Sequence, residues 1–266
     1  MRISFLIFIL GSIVGSFLNV CIYRMPKEES IVSPPSHCPN CKKPIPWFYN
    51  VPLISYILLK GRCRFCSARI SFRYFIVELI TAIIFLILFI HYGLSVKFLV
   101  YTVLACGLLV ATFIDFEHQV IPDEITLGGL VVGLILSIIY PALHNISSST
   151  VWHNMGLSLL QSVIGMIAGG GAIYLIGVMG TWLFRKESMG GGDVKLMAML
   201  GAFLGWKLAL LIIVLGAFSG SIFGIISLLK NKSHIIPFGP YLSLGAFLCI
   251  LYGDEMLQWI MRYMGI

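Results

Sequence analysis

The stretch ISFLIFILGSIVGSFLNVCIY, residues 3–23, runs without a single charge, and its length matches the about 20 apolar residues an α-helix needs to cross a bilayer. Only Arg2 precedes it, and it runs into CIYRMP (21–26) with no small-residue cleavage site. It therefore reads as a retained first span rather than a secretory signal. The rest of the chain has the same character: of 266 residues, 59% are hydrophobic and 11% charged, and the mean hydropathy is +0.98. That leaves too few polar groups to cover a soluble globule. A transmembrane barrel would need alternating strands of about ten residues, whereas the apolar runs here are continuous and longer. The expected fold is an all-α polytopic membrane protein of about eight transmembrane helices. They are placed near 3–23, 74–92, 97–115, 124–142, 155–184, 194–206, 207–229 and 237–261.

The formal charge of +7 is concentrated in one place. Between Arg24 and Arg73 lie nine basic residues against Glu28 and Glu29, so this loop carries the whole excess. Basic loops flanking spans mark the cytoplasmic side, which puts the loop inside and the N-terminus outside. Attraction to anionic lipid head groups accounts for such charge, and no nucleic acid partner is expected. Counting spans from this anchor places the loops at 116–123, 185–193 and 230–236 inside as well. Arg185, Lys186, Lys230 and Lys232 agree with that topology; Lys97, Lys207 and Arg262 do not. The sequence sets no oligomeric state.

Within the basic loop are CPNC (Cys38, Cys41) and CRFC (Cys63, Cys66), two C-x-x-C pairs separated by 21 residues. Each pair can present two thiolates from one tight turn, and two turns complete a tetrahedral site; zinc is the expected metal. A reducing cytoplasm disfavours disulfides between them. Filled by four thiolates the metal has no open position, so its expected role is structural: it folds a loop with little core of its own. Cys21, Cys106 and Cys249 read as singly buried thiols.

Acids at membrane depth are costly, and they mark function or pairing. TFIDFEHQVIPDEITL (112–127) supplies Asp115, Glu117, Asp123 and Glu124, and MGGGDVK (189–195) supplies Asp193. The topology puts Asp115 and Asp193 on the same side of the membrane. Two aspartates meeting there could share a proton, one serving as general base on a water and the other as general acid. Gly190 and Gly192 ahead of Asp193 would let backbone approach closely and leave room for an extended substrate. A structural reading stands beside this one: Asp123 after Pro122, and Asp193 after its glycines, also suit helix N-termini, and Lys195 is placed to pair with Asp193.

An ordered set of motifs then points to a known family: GSFLNVCIYRMP (15–26), the four-cysteine block 38–78, IDFEHQVIPDEITL (114–127), MGGGDVKLMAMLGAFLGW (189–206) and IPFGPYLSLGAF (236–247). Together they span nearly the whole chain. It resembles the prepilin leader peptidases of type IV pilus and type II secretion systems, which are G-x-G-D intramembrane aspartyl proteases. The resemblance implies cleavage of a short basic leader from prepilin and pseudopilin substrates at the cytoplasmic face of the bacterial inner membrane. It also implies N-methylation of the new N-terminal residue, with S-adenosylmethionine as donor. Asp115 and Asp193 take the positions of the two catalytic aspartates, with Asp123 a nearby acid.

The same resemblance assigns residues 1–92 to the methyltransferase region and 93–266 to the peptidase. No G-x-G-x-x-G fingerprint marks a donor site; Glu78, Asn19 and Arg24, beside the cysteine loop, are the candidates for it. Glu28, Glu29 and Glu117 are available to meet a basic leader. Two other classes remain open at this point. A transporter would use Asp115 and Asp193 as an ion path, and a silent assembly scaffold would tolerate asparagine at either position.

Overall fold

The computed structural model describes residues 2–146, 150–185, 189–229 and 237–264. Lys186, Lys230 and Lys232 lie outside them. The helices are α1 (Arg2–Arg24), α2 (Ile54–Leu58), α3 (Phe72–Tyr92), α4 (Val96–His118), α5 (Asp123–Ile139), α6 (Val151–Phe184), α7 (Gly191–Leu229) and α8 (Gly239–Met264). Among the described residues there is no strand, only two isolated bridges in the cysteine loop, His37 with Pro44 and Arg62 with Arg69. All but α2 and the 17-residue α5 are long and apolar enough to cross a membrane. The chain divides into two compact units, Met1–Val110 and Ala111–Ile266, with the boundary inside α4.

The first unit is organised by a stripe at four-residue spacing on α1. A methyl group built on Gly11 would lie 2.7 Å from Ala82 Cα, and one on Gly15 would lie 2.7 Å from Glu78 Cα. The two backbones therefore touch, as small-xxx-small stripes allow. The third member is Asn19, whose Nδ2 donates to the Tyr74 carbonyl at 3.0 Å. The pairing 11 with 82, 15 with 78 and 19 with 74 makes α1 and α3 antiparallel. Ser71 caps α3, its hydroxyl accepting from Arg73 N–H. Gly93, at φ 61°, ends the helix where only a glycine is unstrained, and α4 then returns with Phe98 packed edge-on to Phe89.

In the second unit α7 is the decisive element. It runs as one stretch through the two expected spans, 194–206 and 207–229, but Gly205 within it is non-helical, at φ 79°, ψ 171°. A methyl group built on Gly169 of α6 would lie 2.5 Å from the Met197 carbonyl oxygen and 3.3 Å from Ala209 Cβ. Those two atoms are therefore within about 6 Å of each other, whereas twelve residues of unbroken helix would separate them by about 18 Å. The chain folds back at Gly205, so α7 is two antiparallel arms, one on each side of the glycine. Counted this way a helix stands at each of the eight expected positions, six of the described helices being long and apolar enough to cross a membrane, and the break falls one residue from where the sequence placed it.

The first arm packs on α6 through Ser162, whose hydroxyl donates to the Ala202 carbonyl at 2.8 Å. It packs on α5 where Gly133 meets Phe203 and Ala202. The second arm packs antiparallel on α8, with Gly216 against Leu242 and Gly253 against Leu208. These registers bring the starts of α5, α7 and α8 to the end of the unit where α4 finishes.

Candidate active site and metal centre

Asp115 lies in the last turns of α4 and Asp193 in the first turn of α7, 6% and 9% exposed. The two carboxyl groups are close enough for their charges to act on each other directly. Asp115 Oδ2 accepts a hydrogen bond from the Gly239 backbone N–H at 3.1 Å, and Asp193 N–H donates to the Gly190 carbonyl at 3.1 Å. Ile121 ties the pair together: a methyl group on Gly192 would lie 3.2 Å from Ile121 Cβ, and one on Gly239 would lie 3.0 Å from Ile121 Cδ1. Three helix ends and the α4–α5 turn therefore enclose two acids, one held by a main-chain donor.

Of the glycines before Asp193, Gly192 is packed against the Ile121 side chain rather than against backbone, and Gly190 has ordinary room, a methyl group there lying 3.6 Å from Asp193 Oδ2. Asp123 is the first residue of α5 and makes no capping bond. It pairs instead with Lys195, whose Nζ is 2.7 Å from Oδ1 and 2.8 Å from Oδ2. Lys195 is thus Asp123's partner and not Asp193's. Residues two apart on a helix face away from each other, which the sequence pairing of Asp193 with Lys195 had overlooked. Sequence reasoning also missed Gly239 and Ile121. Gly239 lies in the quoted IPFGPY motif, but a role that depends on a backbone N–H leaves no mark in the residue type.

In the first unit, the sulfur atoms of Cys38, Cys41, Cys63 and Cys66 all lie within 4.8 Å of one another. The two turns match: Cys38 N–H donates to Lys43 O, and Cys63 N–H to Ala68 O, while Lys42 and Ser67, each following a C-x-x-C, both have φ 58°. The Ala68 N–H, then the Asn40 amide, draws the Cys66 thiol down to about 6. Lys43 N–H pulls on the Cys41 thiol too, but lost hydration and the neighbouring thiols outweigh it and push Cys41 up to about 11. Four convergent soft donors in two like turns fit a tetrahedral divalent metal such as zinc.

A cavity of about 450 Å³ opens beside these turns, within the same unit. Asn19, Arg24 and Glu78, the three candidates for the donor site, all line it.

The molecule is thus a multi-pass helical membrane protein with a buried aspartate pair in one unit and a four-cysteine, metal-type cluster in the other. Two family models cover most of it: the bacterial peptidase A24 N-terminal domain over residues 9–92 and the type IV leader peptidase family over residues 102–225. The chain is similar to the prepilin leader peptidase/N-methyltransferase of Aeromonas salmonicida (strain A449), 35% identical over 96% of this chain and 92% of the relative. The proteins of the same name from Pseudomonas aeruginosa and Legionella pneumophila are 34% and 32% identical, covering 97% and 94% of this chain and 93% and 91% of theirs. The chain belongs to the type IV leader peptidase family. No solved structure matches it.

Proposed function

We propose that this chain is a bifunctional prepilin processing enzyme. It cleaves the basic leader from type IV prepilins and type II secretion pseudopilins, then N-methylates the new N-terminal residue from S-adenosylmethionine. It works in the bacterial inner membrane with its acids near the cytoplasmic face, residues 1–92 serving methyl transfer and 93–266 cleavage. The observation that carries the cleavage reading is the burial of Asp115 and Asp193 side by side where three helix ends meet. A transporter would need polar groups along the depth of the bilayer, and the family's relatives are peptidases and methyltransferases by name.

The geometry supports a direct attack by water. Gly239 N–H occupies one oxygen of Asp115, leaving the other free to orient a water against Asp193. One carboxylate takes the water proton as its oxygen adds to the scissile carbonyl carbon; the protonated partner gives its proton to the leaving amine as the C–N bond breaks. Water supplies the hydroxyl of one product and the proton of the other, and the pair ends with one proton, as it began. No nucleophilic Ser or Cys is required. S-adenosylmethionine, when bound, supplies an electrophilic methyl group for the amine that cleavage exposes. Cys38, Cys41, Cys63 and Cys66 hold zinc as a closed structural site.

Mass analysis of products tests this reading, using purified enzyme in detergent with a prepilin and S-adenosylmethionine. Wild type is expected to remove the leader and add one methyl. Asp115→Asn and Asp193→Asn should each slow cleavage by at least about a hundredfold, because half a pair cannot act as both base and acid. Cleavage by either variant within tenfold of wild type refutes the assignment of that aspartate.

A further inference from the structure

Three buried polar groups face the cavity beside the cysteine turns without the partners their chemistry calls for. Arg24, 5% exposed, donates to the carbonyls of Ser30 at 2.8 Å and Pro34 at 2.7 Å. Both are neutral, and among the described residues no carboxylate pairs with it. Glu78 accepts from the Leu53 N–H at 2.8 Å and bonds the Ser16 hydroxyl; neither is a cation. Asn19, 1% exposed, spends its amide nitrogen on Gly15 and Tyr74 carbonyls, and its Oδ1 has no donor.

A buried cation and a buried carboxylate that line one space without meeting each other are an expensive arrangement, because each has given up hydration without gaining an opposite charge. Leu53 adds to the strain, donating to Glu78 from φ 62°, ψ −50°, a conformation unfavourable for a side-chain-bearing residue. Such a set becomes favourable when a ligand brings the missing charges.

We propose that this cavity binds S-adenosylmethionine, with Arg24 meeting the carboxylate of its amino-acid head, Glu78 and Asn19 Oδ1 meeting its ammonium, and the wall tyrosines taking its purine. The proposal rests on the N-methyltransferase reading and deepens it by assigning the donor site. The head of this ligand carries both an anion and a cation, as the cavity does in reverse. Tyr49, Tyr56 and Tyr74 supply flat aromatic surface along the wall, suited to a base. The volume, about 450 Å³, lies within the range typical of small-molecule sites. A nucleoside triphosphate could set its phosphates against Arg24, Arg64, Arg69 or Arg73 of the wall, but it would leave Glu78 without a cation. The N-terminus of a processed pilin has an ammonium but, its carboxyl group being in a peptide bond, offers no terminal carboxylate for Arg24.

The test is equilibrium binding of radiolabelled S-adenosylmethionine to the full-length zinc-loaded protein in detergent, without prepilin. Photocrosslinking of the label and peptide mass mapping accompany it. Wild type should bind saturably, with S-adenosylhomocysteine competing and ATP not, and the label should map to peptides within residues 16–78. Glu78→Gln and Asn19→Leu should each weaken binding at least tenfold while keeping one zinc per chain, which reports that the loop has folded. The wild-type crosslink map decides the matter if a variant loses its zinc. Unchanged affinity in both folded variants, or label mapping to residues 111–266, overturns the site. If wild type still methylates processed prepilin, the methyltransferase reading survives that result; if wild type neither binds nor methylates, both fail.

Discussion

Replacing Gly239 by alanine is the most searching perturbation of the acid pair, because it alters neither acid. The ideal Cβ would stand 2.6 Å from Asp115 Oδ2 and 3.0 Å from Ile121 Cδ1, against 3.4 Å for the onset of ordinary van der Waals contact. The carboxylate must therefore withdraw by close to an ångström or the start of α8 must lift. Either movement stretches the 3.1 Å bond from Gly239 N–H to a length at which little hydrogen bonding remains. A hydrogen bond to a charged group contributes about 1.5–3 kcal/mol, roughly 10- to 150-fold in rate if the bond is needed throughout the reaction, and an ångström of misplacement in a catalytic group costs about a hundredfold. Gly239→Ala should thus lower kcat/KM for leader cleavage by roughly 10- to 100-fold while KM changes little. Gly171→Ala is the control, since a methyl group there meets nothing within 4 Å, and it should cleave like wild type. The assay is initial-rate cleavage of a purified prepilin in detergent, followed by gel shift and mass. Cleavage by Gly239→Ala within twofold of wild type would refute the claim that this main-chain donor positions Asp115.

Gly205→Ala should destabilise the second unit by about 1–3 kcal/mol, since φ 79°, ψ 171° is open almost only to glycine; a lowered thermal midpoint in detergent measures it, and an unchanged midpoint would mean the reversal relaxes without strain. Zinc affinity, measured by chelator competition between pH 5.5 and 7.5, should fall as pH falls. At neutral pH the metal must displace the proton on Cys41, whose thiol sits at about 11, and below about 6 it must also displace one from Cys66. A pH-independent affinity would contradict four-thiolate ligation.

The membrane helices were legible because uncharged runs of bilayer length have few alternatives in water or lipid. Even the break within α7 was placed, as the boundary between the expected spans 194–206 and 207–229. The pairing of Asp115 with Asp193 was legible only as topology: both fell on one side once the basic loop was placed inside. What supports the pair was not legible, since Gly239 acts through its main chain across 124 positions and Ile121 through its shape. The partner of Lys195 was misread because nearness along the chain was taken for nearness in space, when α5 and the first arm of α7 run side by side from Asp123 and Lys195. Asn19, Arg24 and Glu78 were picked out as polar residues at the edges of spans, but the sequence did not say that they face one cavity. That follows from the Gly11, Gly15, Asn19 stripe, which fixes the register of α1 on α3.

The reversal at Gly205 leaves the first arm of α7 only residues 191–204 long, about 21 Å of helix, against about 30 Å of hydrocarbon in an ordinary bilayer. Standing upright, it falls about 9 Å short. Leu196, Met197, Met199, Leu200 and Ala202 are at most 1% exposed, so the arm is surrounded by neighbouring helices rather than by lipid, and the bilayer has no need to thin to its length. One of its two ends, the chain reversal or Asp193, therefore stops short of the head-group level inside the protein, where a short helix is tolerated because its polar ends are sheltered from the hydrocarbon.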